Sequence, residues 1–131
     1  MSSSFTLAQL LVVMAGGAFG ALARFLLSTK VTEKFGSVFP YGTLSVNVIG
    51  SFLMGLLAIL LYERIALDPL LKLGVFVGFL GAFTTFSTFS MDTLNLFEQG
   101  HHVRAILNML CSVAFSVIAV WLGVVIGKAI Q

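Results

Sequence analysis

Charge is what this sequence has least of. Of its 131 residues, 9% are Asp, Glu, Lys or Arg, against about 25% in a typical soluble domain. Cysteine occurs once, as Cys111, so an internal disulfide is excluded, and the thiol reads as a small buried hydrophobe. Proline occurs twice, as Pro40 and Pro69, both in links between apolar runs. The net charge of +2 is too small to suggest a nucleic-acid partner. No Cys/His pairing, intramembrane carboxylate pair or metal-spaced cluster is present, so an enzyme is not expected. No P-loop pattern offers an ATP site.

What fills the chain is apolar side chain, 59% of it. A soluble core of this size cannot hide so much, so lipid is the natural solvent. Residues 1–23, 35–62, 73–91 and 105–127 contain no Asp, Glu, Lys or Arg. Each window approaches or exceeds the roughly 20 apolar residues that a spanning helix needs. The pattern predicts an all-α membrane protein, one domain over 1–131, with helices at about 5–27, 41–62, 70–97 and 103–129. The first window is not expected to be a cleaved signal, because "MSSSFTLAQ" has no basic n-region.

The few cations fall almost evenly on the two sides of that topology. Arg64, Lys72 and Lys128 lie on one side; Arg24, Lys30, Lys34 and Arg104 lie on the other. The positive-inside rule needs a bias to fix orientation, so insertion in both orientations is expected. Four short helices can hardly enclose a polar path alone. The smallest expected functional unit is therefore a homodimer, antiparallel if orientation is dual, with its two-fold axis in the membrane plane.

Polar residues inside the windows are ordered. Thr43, Asn47, Ser51 and Gly55 form one helical stripe at four-residue spacing, and Asn108, Ser112 and Ser116 form another. Asn47 either bonds between helices or serves as a ligand on a pathway, since an amide in lipid needs partners. Gly16 and Gly20 form a GxxxG seam. Four residues on, Arg24 at the expected helix end either snorkels to the interface or marks a pore mouth. Tyr41 and Tyr62 bracket the second helix as interfacial anchors. His101 and His102 are adjacent, cannot share a helix face, and read as interfacial. Trp121 has no evident role.

The densest feature is "GAFTTFSTFSMD", Gly81–Asp92. From Phe83 to Ser90 it holds five hydroxyls and three phenylalanines spaced three apart. Gly81 and the β-branched Thr84, Thr85 and Thr88 predict a break near the middle of the third helix. Irregular backbone at membrane depth needs protein or a polar cavity beside it, and its freed carbonyls can coordinate a cation. Past the break, Phe83, Phe86 and Phe89 occupy one sector and Thr84, Ser87 and Thr88 another. Hydroxyls can donate, and ring edges are positive. A small anion can therefore be met without a full positive charge, whose tight binding would slow exit. Residue patterns alone reach a permeation path for a small ion; packing by the rings and helix glue by the hydroxyls is the bland alternative.

"GGAFGALAR" (Gly16–Arg24), "GTLSVNVIGSFLMG" (Gly42–Gly55) and "GAFTTFSTFSMD" resemble the Fluc (CrcB) fluoride channels of microbes, across all four helices. The resemblance implies an antiparallel, dual-topology homodimer in the cell (inner) membrane, exporting cytoplasmic fluoride passively and lowering its toxicity. It implies two fluoride pathways and one central structural Na+ per dimer, the ion held by backbone carbonyls of Gly81 and Thr84. The fluoride-pathway residues it implies are Asn47, Phe86, Phe89, Ser112 and Ser116, with Thr85, Ser87 and Thr88 as further members, while Phe83 packs. Ala82 stands where the family pattern has a second glycine.

Two other functions remain to be weighed. A small multidrug-type, proton-coupled exporter requires a membrane carboxylate; the nearest, Asp92, sits toward the end of the third helix. A membrane assembly module without transport would suit the glycine seams, but it does not explain two polar stripes beside an expected helix break.

Overall fold

The computed structural model describes residues 4–130, and its spans are helical except at Thr84 and Thr85. Among the described residues, four rods long and apolar enough to cross a membrane follow one another: Leu7–Phe35, Tyr41–Arg64, Pro69–Glu98 and His102–Ala129. The first is the continuous helix α1 (Leu7–Phe35). The second begins as α2 (Tyr41–Ala58) and widens into a π-helical turn over Ile59–Arg64. The third is composite: α3 (Pro69–Leu73), a π-helical stretch (Gly74–Leu80), α4 (Gly81–Phe83) and α5 (Phe86–Glu98). The fourth is the continuous helix α6 (His102–Ala129).

Local chemistry sets the ends. Thr6 and Gln9 form a reciprocal capping box on α1. Asp68 Oδ1 accepts from Leu70 N–H at 2.7 Å, with Pro69 just inside α3. The first helix is longer than expected: residues 28–35, read as the start of a polar loop, are helical. Ser28 Oγ donates to the Phe25 carbonyl and Thr32 Oγ1 to the Ser28 carbonyl, at 3.4 and 2.8 Å. These hydroxyls are satisfied by the helix itself. The helix stops only at Gly36, whose φ of 84° a side chain would resist. Arg24 therefore lies within α1 and not at its end. His101 and His102 are exposed where α6 begins, with the His102 ring 5.7 Å from that of Phe97.

Glycines let the rods touch. A Cβ at Gly55 would run into the Val120 carbonyl, and one at Gly123 into the Phe52 carbonyl, so α2 and α6 meet backbone to backbone. Gly16 and Gly20 bring α1 likewise onto the carbonyls of Gly74 and Phe79 in the π-helical stretch. Lipid tails supply no hydrophobic drive between helices, so close packing of small residues must hold the bundle. At one end Arg64 Nη2 donates to the Lys128 carbonyl at 2.8 Å, and Lys72 Nζ lies 4.4 Å from the Tyr62 ring centre. Buried side chains are few, among them Val46, Leu80, Phe83, Phe89 and Asn108. Large apolar side chains such as Phe19, Phe25, Val117 and Trp121 face outward, as suits a surface solvated by lipid.

Candidate ion pathway

The third rod leaves helical geometry at two residues. Thr84 (φ −89°, ψ 155°) and Thr85 (φ −150°, ψ 118°) are extended, whereas Gly81 is helical at φ −61°, ψ −35°. Thr84 stays tied to the upstream turn, its N–H and Oγ1 both reaching the Leu80 carbonyl, at 3.1 and 2.9 Å. Thr85 turns to the second rod. Its N–H donates to Asn47 Oδ1 at 2.7 Å, and its carbonyl accepts from Asn47 Nδ2 at 2.9 Å. In a continuous helix the Thr85 N–H would serve the Gly81 carbonyl. Asn47 thus substitutes for the missing helical partner and satisfies backbone that lipid could not.

Thr85 also restarts the helix. As N-cap of α5 its Oγ1 accepts from Thr88 N–H at 3.2 Å. Thr88 Oγ1 lies 3.0 Å from that oxygen and Ser87 Oγ 3.4 Å from it. Gly50 lets the turn approach α2, since a Cβ there would strike Thr84 Cγ2 and come within 3.1 Å of Phe83 Cδ1.

Beside this turn lies an open groove of about 320 Å³ lined by Asn47, Ser51, Thr84, Thr85, Phe86, Phe89, Ser112, Val113, Ser116 and Val117. Every lining side chain is uncharged. The rings of Phe86 and Phe89 stand 5.3 Å apart at 56° to one another. Phe89 is buried, while Phe86 is 76% exposed on the protomer. Phe83 is buried away from the groove, stacked on Phe79 with centroids 5.9 Å apart.

A second open cavity, about 250 Å³, shares Thr85 with the groove. Ala21, Arg24, Phe25, Ser28, Thr43, Val46, Thr85 and Thr88 line it. Thr85 is the wall common to both. Arg24 thus borders an open, partly hydroxyl-lined space. Next to it, Thr43 Oγ1 donates to Asp92 Oδ2 at 2.7 Å, a short charge-assisted bond.

The structure therefore gathers six of the sequence-derived pathway residues, Asn47, Thr85, Phe86, Phe89, Ser112 and Ser116, around one groove. Thr88 lines the second cavity, and Ser87 is exposed and lines neither. Val113 and Val117, each next to a serine of the α6 stripe, also line the groove, and an apolar residue in an apolar helix gives no sequence signal of this. Nor does the sequence mark Thr93, which accepts from Asn108 Nδ2 at 3.0 Å.

An arrangement of extended backbone, neutral donors and crossed rings can replace part of a small ion's hydration shell. Known proteins are similar to this chain in sequence. The model of the CrcB-like protein family, Camphor Resistance (CrcB), matches residues 11–124. The Fluoride-specific ion channel FluC of Magnetococcus marinus is 53% identical over 93% of this chain and 99% of its own length. Proteins of the same name from Methylococcus capsulatus and Citrifermentans bemidjiense are 50% and 43% identical, over 92% and 93% of this chain and 53% and 98% of their own lengths. The chain belongs to the CrcB family.

Proposed function

We propose that the chain is a passive, fluoride-selective channel that lets cytoplasmic fluoride leave the cell. The carrying observation is the uncharged groove: two crossed phenylalanine rings, the Asn47 amide and the α6 serines converge on it. Fluoride is small and holds water strongly, so a path for it must supply many weak donors in place of that water. The Asn47 amide, hydroxyl protons and positive ring edges are such donors. None carries a full charge that would trap the ion. Hydrogen fluoride enters cells as a neutral acid and ionises inside; the negative interior then drives the anion out without ATP.

The unit proposed is an antiparallel homodimer in the cell (inner) membrane, inserted in both orientations. The near-even split of cations supports dual insertion. The exposed Phe86 ring supports a second subunit, since in a dimer the path gains another wall there. Replacing single residues with cysteine and labelling intact cells tests orientation: labelling at one position from both sides is expected, and labelling from one side alone contradicts it.

The residues at the break fit a structural sodium ion. Thr85 N–H is committed to Asn47, which leaves the Gly81 carbonyl without its helical donor, and the Thr84 carbonyl lies on extended backbone. These are hard oxygen ligands of the kind broken membrane helices offer to Na+. Two carbonyls per chain are too few alone, and a two-fold axis would supply two more. Bound there, the ion would supply charge that holds two breaks together.

A proton-coupled exporter is less well supported. Asp92 lines neither cavity and is engaged by Thr43. Expression in cells lacking their own fluoride exporter tests the function. Growth at otherwise inhibitory fluoride is expected with the native chain; no rescue by a well-expressed chain would contradict it.

A further inference from the structure

Behind the groove wall runs a buried polar relay that no step above uses. Thr93 Oγ1 lies 2.8 Å from the Phe89 carbonyl, Asn108 Nδ2 lies 3.0 Å from Thr93 Oγ1, and Ser112 Oγ lies 3.3 Å from Asn108 Oδ1. Asn108 is 1% exposed, one of the largest fully buried side chains of the chain. Of these four residues, Phe89 and Ser112 line the groove; Asn108 and Thr93 do not.

The proton order along the relay follows from what each group can do. A carbonyl only accepts, so Thr93 must donate its single hydroxyl proton to Phe89. Thr93 can then only accept from Asn108, which turns the amide nitrogen toward Thr93 and the amide oxygen toward Ser112. Ser112 must therefore donate to Asn108. Its proton points away from the groove and its lone pairs are left for whatever enters. That is the wrong polarity for an anion.

We infer that Asn108 is a positioning residue that keeps the Ser112 proton turned from the path and so holds anion binding at that serine weak. At 3.3 Å the Ser112–Asn108 bond is long for a hydroxyl donor. An arriving anion can break it and rotate the hydroxyl, but loses part of what it gains. Conduction needs that moderation, because a site that binds too well releases slowly. The inference rests on the fluoride-path reading of the groove.

The test is a double-mutant cycle on fluoride efflux from liposomes. Asn108→Leu removes the acceptor, frees the Ser112 proton for the ion and is expected to slow efflux about fivefold, the worth of one neutral hydrogen bond. In a Ser112→Ala background the same change should alter efflux by no more than about twofold, the scatter of independent sites. Thr93→Val, nearly isosteric and outside the groove, lets the Asn108 amide turn its N–H to Ser112. It should slow efflux in the same direction, again only when Ser112 is present, and it carries the test should Asn108→Leu not fold. Equal slowing in both serine backgrounds assigns the relay to packing and overturns the inference, as does unchanged efflux. Failure of the native chain to pass fluoride at all removes the path reading and this inference with it, whereas native efflux with an additive cycle removes the inference alone.

Discussion

Asn47 and Thr85 exchange two hydrogen bonds, Thr85 N–H to Asn47 Oδ1 at 2.7 Å and Asn47 Nδ2–H to the Thr85 carbonyl at 2.9 Å. One side chain thereby mimics a neighbouring strand for one extended residue in the middle of a membrane span. One amide N–H of Asn47 remains for the groove it lines. On the proposed reading of the groove, the residue both fixes its wall and offers it a donor.

Asn47→Asp keeps the acceptor for Thr85 N–H but sets a carboxylate against the Thr85 carbonyl and charges an anion path. Fluoride efflux should fall at least tenfold, since leaving a buried carbonyl unpaired costs about 1–3 kcal/mol before charge repulsion is added. Liposome efflux of the purified variant checks this. Undiminished flux would place the route elsewhere.

The two groove rings should respond differently to truncation. Phe86 is exposed on the protomer and Phe89 is buried. Phe86→Ile should impair efflux while thermal unfolding in detergent stays near the native value. Phe89→Ala should lower both, with a stability loss of about 3–5 kcal/mol. Equal stability losses would show that Phe86 is a packing residue.

Gly50 sets the distance between the second rod and the break. The methyl of Gly50→Ala would meet Thr84 Cγ2, and overpacking of this kind costs about 1–3 kcal/mol. Efflux should drop together with the melting temperature. Native behaviour of both would mean that the turn has slack that the contact distances deny.

Thr43→Val leaves Asp92 without its short hydroxyl donor. A hydrogen bond to a charged group is worth about 1.5–3 kcal/mol, so detergent stability should fall measurably, and Asp92→Asn in the Thr43→Val background should restore most of it. No rescue would assign the loss to the hydroxyl's removal from elsewhere in the bundle.

Much of this was legible in the sequence, for reasons that differ from residue to residue. Spans show because lipid demands continuous apolar runs. The polar stripes show because four-residue spacing places Asn47 with Ser51, and Ser112 with Ser116, on common helix faces. Their partners do not show. The Asn47–Thr85 and Asn108–Thr93 bonds join residues far apart in the chain, and no local rule selects them. Phe83, Phe86 and Phe89 read as one aromatic sector. Each three-residue step turns about 60° from the last in a regular helix, and the extended Thr84 and Thr85 intervene, so one ring packs, one is exposed and one is buried at the groove. The tail of α1 is not legible as helix, because its polar residues suggest a loop, whereas Ser28 and Thr32 bond back to their own helix.

The most direct measurement is paired efflux of fluoride and chloride from liposomes carrying the purified native chain, each followed with its own electrode. Rapid loss of fluoride with chloride retained is the expected result if neutral donors and ring edges replace the shell of a small, strongly hydrated anion. Loss of both ions would contradict selectivity, and retention of both by the folded protein would contradict the path itself.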